Sequence, residues 1–507
     1  MGLHGELPSL RAYLRLGGKD SNDTTTWYDV KFYPYTPPGV DPVFAVTGGC
    51  NTIICRCVLQ KESCIEVLRV YKDEDTDAAL NSVEWSQAEN GDPLVCVSGN
   101  NPQIKILNVK TGELVTTLTG HGDAVNDLAI SPVTPKILAS ASNDNTVKVW
   151  SLDPIHRNQP TAVNCFGEGH KETVLALGFH RTGQYLLSGG MDTKVNLWVI
   201  PKLPDQNTGT DKPTLIHYPH FSSTEIHTDF VDCVRFYGDL ILSRASKENK
   251  ILLWAIDNFN SENPPPPYSS VPMPPSRISK GTTPIWLPSA QTTGTRSAWG
   301  GRFQRLLQFE EPYSTYFYIR FGLFHEPGKH PILVAGNEKS RLFFWDLQRL
   351  EEAGAIEDSA FKRPERKAKK DNVASITSGI SNLPLGLPSR MREGSAVSNA
   401  SSAAQSSSSM PVSTTASVAT GTGSNTTSAP SKSKTAKEKD DRTTGIGDSF
   451  HSIIAHKTVM VPKITFTVRQ LSWSRGGEWC VAVGDHGMIA IFTRWEEGIP
   501  EPTGGVS

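Results

Sequence analysis

Two stretches of this chain repeat each other, and that repetition restricts the possible folds more than any single residue does. GHGDAVNDLAISPVTPKILASASNDNTVKVW runs from Gly120 to Trp150, and GHKETVLALGFHRTGQYLLSGGMDTKVNLW from Gly169 to Trp198. Each opens on Gly-His, enters an apolar run, turns, crosses a second run of small residues, turns again at Asp and closes on Trp. Short apolar runs bounded by turn residues are strands. Like units at a fixed spacing must stack, because none can bury its apolar face alone.

Weaker copies extend the series. IHTDFVDCVRFYGDLILSRASKENKILLW ends at Trp254 with its turn Asp lost, YFYIRFGLFHEPGKHPILVAGNEKSRLFFWDL carries Trp345, and TVRQLSWSRGGEWCVAVGDHGMIAIFTRW is the last. Two more, WYDVKF…DPVFAVTGGCNTIICRCV and LNSVEWSQAENGDPLVCVSGNNPQIKILNV, precede the Gly-His units. This is the WD40 pattern of about 40–45 residues and four strands per blade. The expected fold is therefore all-β, a seven-bladed WD40 β-propeller with a disordered insertion. A hydrogen-bonded set of Gly-His histidine, turn Asp, strand Ser and Trp indole accounts for His121, Asp144 and Trp150, and for His170, Asp192 and Trp198. These are structural rather than catalytic residues.

The expected boundaries are a flexible N-terminal segment over 1–23, blades one to five over 24–257, a Pro/Ser-rich inter-blade loop over 258–300 and blade six over 301–350. A disordered low-complexity insertion over 351–448, blade seven over 449–495 and a tail over 496–507 follow. The insertion, with SSAAQSSSSMPVSTTASVATGTGSNTTSAPS, lacks the apolar side chains that would offset ordering entropy. Its basic start, KRPERKAKK (Lys362 to Lys370), is a nuclear-import signal, a loose nucleic-acid contact or a solvated charge run.

Composition narrows function. A formal charge of −2 disfavours general nucleic-acid binding and gives no sign of sequence-specific recognition. No window supplies the roughly 18 apolar residues of a membrane span. The start lacks an apolar signal core, so an intracellular protein is expected. Among eight cysteines none forms a C-x-x-C pair; Cys55 and Cys57 share a strand face without a nearby histidine, which reads as buried thiols and no metal. No HExxH, P-loop or nucleophile–base pair stands outside the repeat network, so an enzyme is not expected and no cofactor is implied.

The first strand of each unit follows apolar-x-x-apolar-x-apolar. Around the ring the first x reads Tyr28, Asn81, Asn126, Leu175, Asp232, Phe317 and Arg469. A propeller closes, so units six, seven, one and two are neighbours. Phe317, Tyr318 and Tyr28 then converge on one mouth of the channel, with Arg469 between and Asn81 alongside. Rings at an open rim suit a cation without hydrogen-bond donors, such as a quaternary ammonium; the alternative is half-buried strand aromatics that stabilise the rim.

IHYPHFSSTEIHTDFVDCVRFYGDLILSRA (Ile216 to Ala245), followed by GRF, YFYIRF, FFWDL and VRQLSWSR, resembles the fungal-type EED/ESC family, the WD40 subunit of Polycomb repressive complex 2. The resemblance implies a nuclear histone-tail reader and scaffold. It implies a cage for the repressive trimethyl-lysine mark of histone H3 at Tyr28, Asn81, Phe317 and Tyr318, with Arg469 touching the peptide and Arg320 lining the channel just inside. The implied partners are an Enhancer of zeste-type SET-domain methyltransferase, which the bound mark promotes, and a Suppressor of zeste 12-type subunit. Asn81 departs from the family's usual tyrosine and Phe317 from its tryptophan. A docking scaffold without mark reading is the competing expectation, and a generic propeller receptor a further one.

Overall fold

The computed structural model describes residues 7–16, 25–59, 63–273, 294–352 and 448–494. Among them are seven sheets of four or five strands. The innermost strands run Asp29–Phe32, Leu80–Gln87, Val125–Ile130, Val174–Phe179, Val231–Tyr237, Gly322–Phe324 and Val468–Trp473. Each packs against the next, and Val468–Trp473 packs against Asp29–Phe32, so the ring closes as a seven-bladed propeller.

Sequence chemistry explains the blade. The second strands, such as Ile137–Ser142 and Tyr185–Gly190, are buried along their whole length, because one face packs on each neighbouring blade; small residues allow that approach. The glycine of Gly-His is equally constrained: a Cβ on Gly169 would lie 2.3 Å from the Trp198 ring. His121 meets Asp144 at 2.8 Å and Ser140 at 2.7 Å, and the Trp150 indole donates to the same Ser140 at 2.7 Å. His170, Asp192, Ser188 and Trp198 repeat the arrangement. Blade five keeps it despite losing the turn Asp. Glu248, one methylene longer, meets His227 at 2.9 Å, while His227 and the Trp254 indole share Ser243.

Several expected boundaries are corrected. Ser9–Arg15, placed in a flexible segment, forms the outer strand of blade seven against Met488–Thr493, so the start of the chain closes the ring. Phe303–Glu310 is the outer strand of blade five rather than the start of blade six. Blade six takes its outer strand, Lys457–Met460, from beyond the insertion, and Ser452–Ile453 adds to blade five. In blades five and six the outermost strand follows the blade's Trp in the chain, beyond the point where the sequence repeat ends; blade seven instead takes its outermost strand from Ser9–Arg15. Within 258–300, Thr295–Ser297 forms a fifth strand on blade four beside Phe221–Ser223, and the Tyr268 hydroxyl donates to the Val199 carbonyl at 2.9 Å. Apart from residues 351, 352 and 448, the expected disordered insertion, with KRPERKAKK, lies outside the described residues, as does the 496–507 tail.

No helix is long and apolar enough to cross a membrane, and no group of three or more His, Cys, Asp or Glu is placed to hold a metal, both among the described residues. Burial pushes the Cys55 thiol up to about 12, which leaves it a packing residue.

Candidate functional site

The rim of the channel is built on a recurrent irregularity. In five blades the first-x residue is skipped in the pairing of the first two strands: Asn81, Asn126, Leu175, Asp232 and Arg469 each sit at a break in register. A bulge re-aims a side chain that regular alternation would send elsewhere. Blade six goes further. Residues 316–321, expected as strand, have no regular structure, and strand begins only at Gly322–Phe324. Tyr318 adopts a left-handed backbone, φ 59°. That conformation breaks the alternation and lets two consecutive aromatics meet, Phe317 and Tyr318, with ring centroids 5.3 Å apart.

Tyr318 is the shared ring. Its centroid lies 6.2 Å from that of Tyr28 in an edge-to-face arrangement, so chain closure does bring the first and sixth blades' aromatics together. Phe317 is 46% exposed whereas Tyr318 is 8% exposed: Phe317 stands open to solvent and Tyr318 is buried. The Tyr318 amide donates to Asp232 at 2.8 Å and its hydroxyl to the Asn126 carbonyl at 3.4 Å. Burial pushes its phenol pKa up, so the ring stays neutral. Asn81 is half-buried, and its side-chain oxygen is buried with no hydrogen-bond partner. Tyr316, at the first apolar position of the strand pattern, is 53% exposed and its ring centroid lies 6.0 Å from the Arg469 guanidinium carbon.

Arg469, expected to touch the peptide, and Arg320, expected to line the channel just inside, are both engaged within the chain. Arg320 is 1% exposed. It donates to Asp127 at 2.9 Å and to the carbonyls of Leu175 and Asn126 at 3.0 and 3.3 Å. It therefore spans the ring from blade six to blades three and four, with these donors spent on contacts within the chain. Burial opposes its charge, but Asp127, with Tyr318, Asp29 and Cys233 behind it, outweighs burial and leaves the pKa raised. Its guanidinium carbon lies 4.9 Å from the Tyr318 centroid. Arg469 holds Asp485 at 2.8 Å and the Phe317 carbonyl at 3.1 Å, and stands 5.7 Å from the Tyr28 centroid.

Sequence reasoning missed the clamp under the loop. Arg244, from the second strand of blade five, is fully buried and donates to Glu311 at 2.8 Å, to both oxygens of Asp232 at 2.8 and 2.7 Å, and to the carbonyls of Ser314 and Tyr316. Burial raises the pKa of Asp232 and Glu311 against the pull of Arg244. Glu338 ties the other side, accepting from the Thr315 and Tyr316 amides. The available signal was an Arg inside a strand of otherwise small and apolar residues, where an unpaired charge would be prohibitive.

The fold and its repeat networks define a WD40 propeller. The WD domain, G-beta repeat family description matches residues 112–151 and 161–199. The chain is 35% identical to Polycomb protein EED of Chaetomium thermophilum over 99% of this chain and 98% of that one. It is 26% identical to Polycomb protein esc of Drosophila melanogaster over 62% of this chain and 68% of that one. A structure of Chaetomium thermophilum Polycomb repressive complex 2 bound to GSK126 contains a chain that superposes with a TM-score of 0.74 at 34% identity, covering 97% of this chain and 99% of that one. A structure of ctPRC2 in complex with H3K27me3 matches with the same score at 33% identity, covering 97% and 98%. The chain belongs to the Polycomb EED family, the non-catalytic WD40 subunits of Polycomb repressive complex 2.

Proposed function

We propose that this chain reads the trimethylated tail of histone H3 in the nucleus and carries that signal to an Enhancer of zeste-type methyltransferase, within a complex that includes a Suppressor of zeste 12-type subunit. The observation that carries the reading is the continuous Tyr28–Tyr318–Phe317 series at the open rim. A trimethylammonium has no N–H to donate, so it gains from ring faces and from loss of water. Three rings at ~0.5–2 kcal/mol each supply roughly 1.5–6 kcal/mol. Association costs ~4 kcal/mol or more, so peptide-backbone contacts must add to the cage. Weak recognition suits a reader anchored elsewhere in its complex. Promotion of the methyltransferase then requires the marked tail to bind one state of the complex better than the other.

The second reading, a docking scaffold that does not read the mark, has its own support. Asn81 leaves a wall without a ring, and Arg320 and Arg469 already stand over Tyr318 and Tyr28. Titration of the assembled complex with trimethylated and unmodified H3 tail peptides separates the two. Mark reading requires tighter binding of the trimethylated peptide and loss of that preference in Phe317→Ala, whose exposed side chain can be removed without opening the core. Equal affinities in the unaltered complex would leave only the scaffold.

A further inference from the structure

The channel has a second mouth. The last residues of the inner strands, at the end opposite the rings, enclose a cavity of about 310 Å³ lined by residues that include Lys31, Glu84, Arg235, Gln470, Ser472 and Trp473. Arg320 and Asp127 cross the channel between this cavity and the aromatic rim.

The polar groups here are unevenly matched. Gln470 is 1% exposed; its side-chain oxygen accepts from the Leu471 amide at 3.0 Å, but its Nε2 has no partner. The Trp473 indole nitrogen is likewise buried and unpartnered. Arg235 donates through Nη1 to the carbonyls of Leu177 and Val234. Lys31 lies 3.6 Å from Glu84, which also accepts from the Trp85 amide at 2.9 Å. Two cations thus face one carboxylate, and two buried N–H donors lack acceptors. Buried donors are normally satisfied, and an acceptor-only group that carries negative charge meets both deficits at once.

We propose that this far mouth binds a small oxyanion, a phosphate or a carboxylate, held by Gln470, Trp473 and Arg235. The site is separate from the aromatic rim and does not depend on its function. Phosphate and carboxylate share this chemistry, and sodium phosphate and sodium glutarate serve as separate probes.

The test is calorimetric titration of the full chain with each probe, against sodium chloride at matched ionic strength. A saturable single-site response to either probe is expected. Gln470→Glu preserves shape and the acceptor for Leu471 while turning the unpaired donor into an acceptor. It should weaken binding by about tenfold or more, and Trp473→Phe by a few-fold. A response to phosphate alone assigns a phosphoryl group, and one to glutarate alone a carboxylate. Absence of saturable binding to both, or unchanged affinity in both variants, overturns the proposal.

Discussion

Arg469 donates through Nη1 to the carbonyl of Phe317 at 3.1 Å while its Nε and Nη2 hold Asp485 at 2.8 and 3.3 Å. Blade seven therefore fixes the backbone of a rim aromatic on blade six, and the arginine acts by positioning. Arg469→Ala should lower affinity for the trimethylated peptide by about five- to tenfold, with a change in stability under about 1 kcal/mol. Peptide titration alongside thermal unfolding checks this. An unchanged affinity would show that Phe317 holds its place unaided.

Asn81 stands where the family resemblance implies a ring, and its side-chain oxygen is buried without a partner. Replacing an unsatisfied amide with a ring removes a cost and adds a quadrupole. Asn81→Tyr should tighten trimethyl-peptide binding by roughly two- to fivefold. Weaker binding in the same titration would mean that this residue is not part of the enclosure.

The Arg244 clamp sets a larger effect. Its loss leaves Asp232 and Glu311 buried and repelling each other without the cation that bridges them. Removing one partner of a buried ion pair costs ~3–5 kcal/mol, so Arg244→Met should lower the denaturation midpoint strongly and disorganise the 311–318 loop. Arg244→Lys should rescue little, since an ammonium cannot reproduce the fork that reaches two carboxylates and two carbonyls. Chemical denaturation with tyrosine fluorescence reads both effects.

The repeat networks predict an acid transition. Burial alone would raise the Glu248 pKa, but hydrogen bonds from His227 and Thr228 pull it from 4.5 to about 2. Asp192 is held at about 2 and Asp144 is also depressed, each by its histidine against the effect of burial. A carboxylate with a depressed folded-state pKa stabilises the fold fully above its unfolded value, and the contribution disappears as pH falls through the folded value. Stability should therefore decline between about pH 4.5 and pH 2. Glu248→Gln should make the decline shallower, as measured by denaturation at a series of pH values; an unchanged slope would mean that Glu248 does not titrate with folding.

Much of the fold was legible in the sequence because a repeat states its own period. Gly-His, the strand Ser and the closing Trp are local signals, and each blade carries them whatever its neighbours do. The site was half legible. Strand register placed Tyr28 and Phe317 on one rim, but it treated residues 316–321 as strand. The left-handed turn at Tyr318 is set by Asp232, Arg244 and Glu338, which lie far away in the chain, so no local pattern announces it.

The sequence by itself determined the number of blades, their order and the aromatic character of one rim, since apolar periodicity and turn residues act over a few positions. Only the tertiary structure decided that the first strand of the chain, Ser9–Arg15, completes the last blade. It also decided that Arg320 reaches across the ring to blades three and four and that Arg469 grips a backbone carbonyl. Buried charges must find partners, and in a closed ring those partners come from whichever blades the circle brings round.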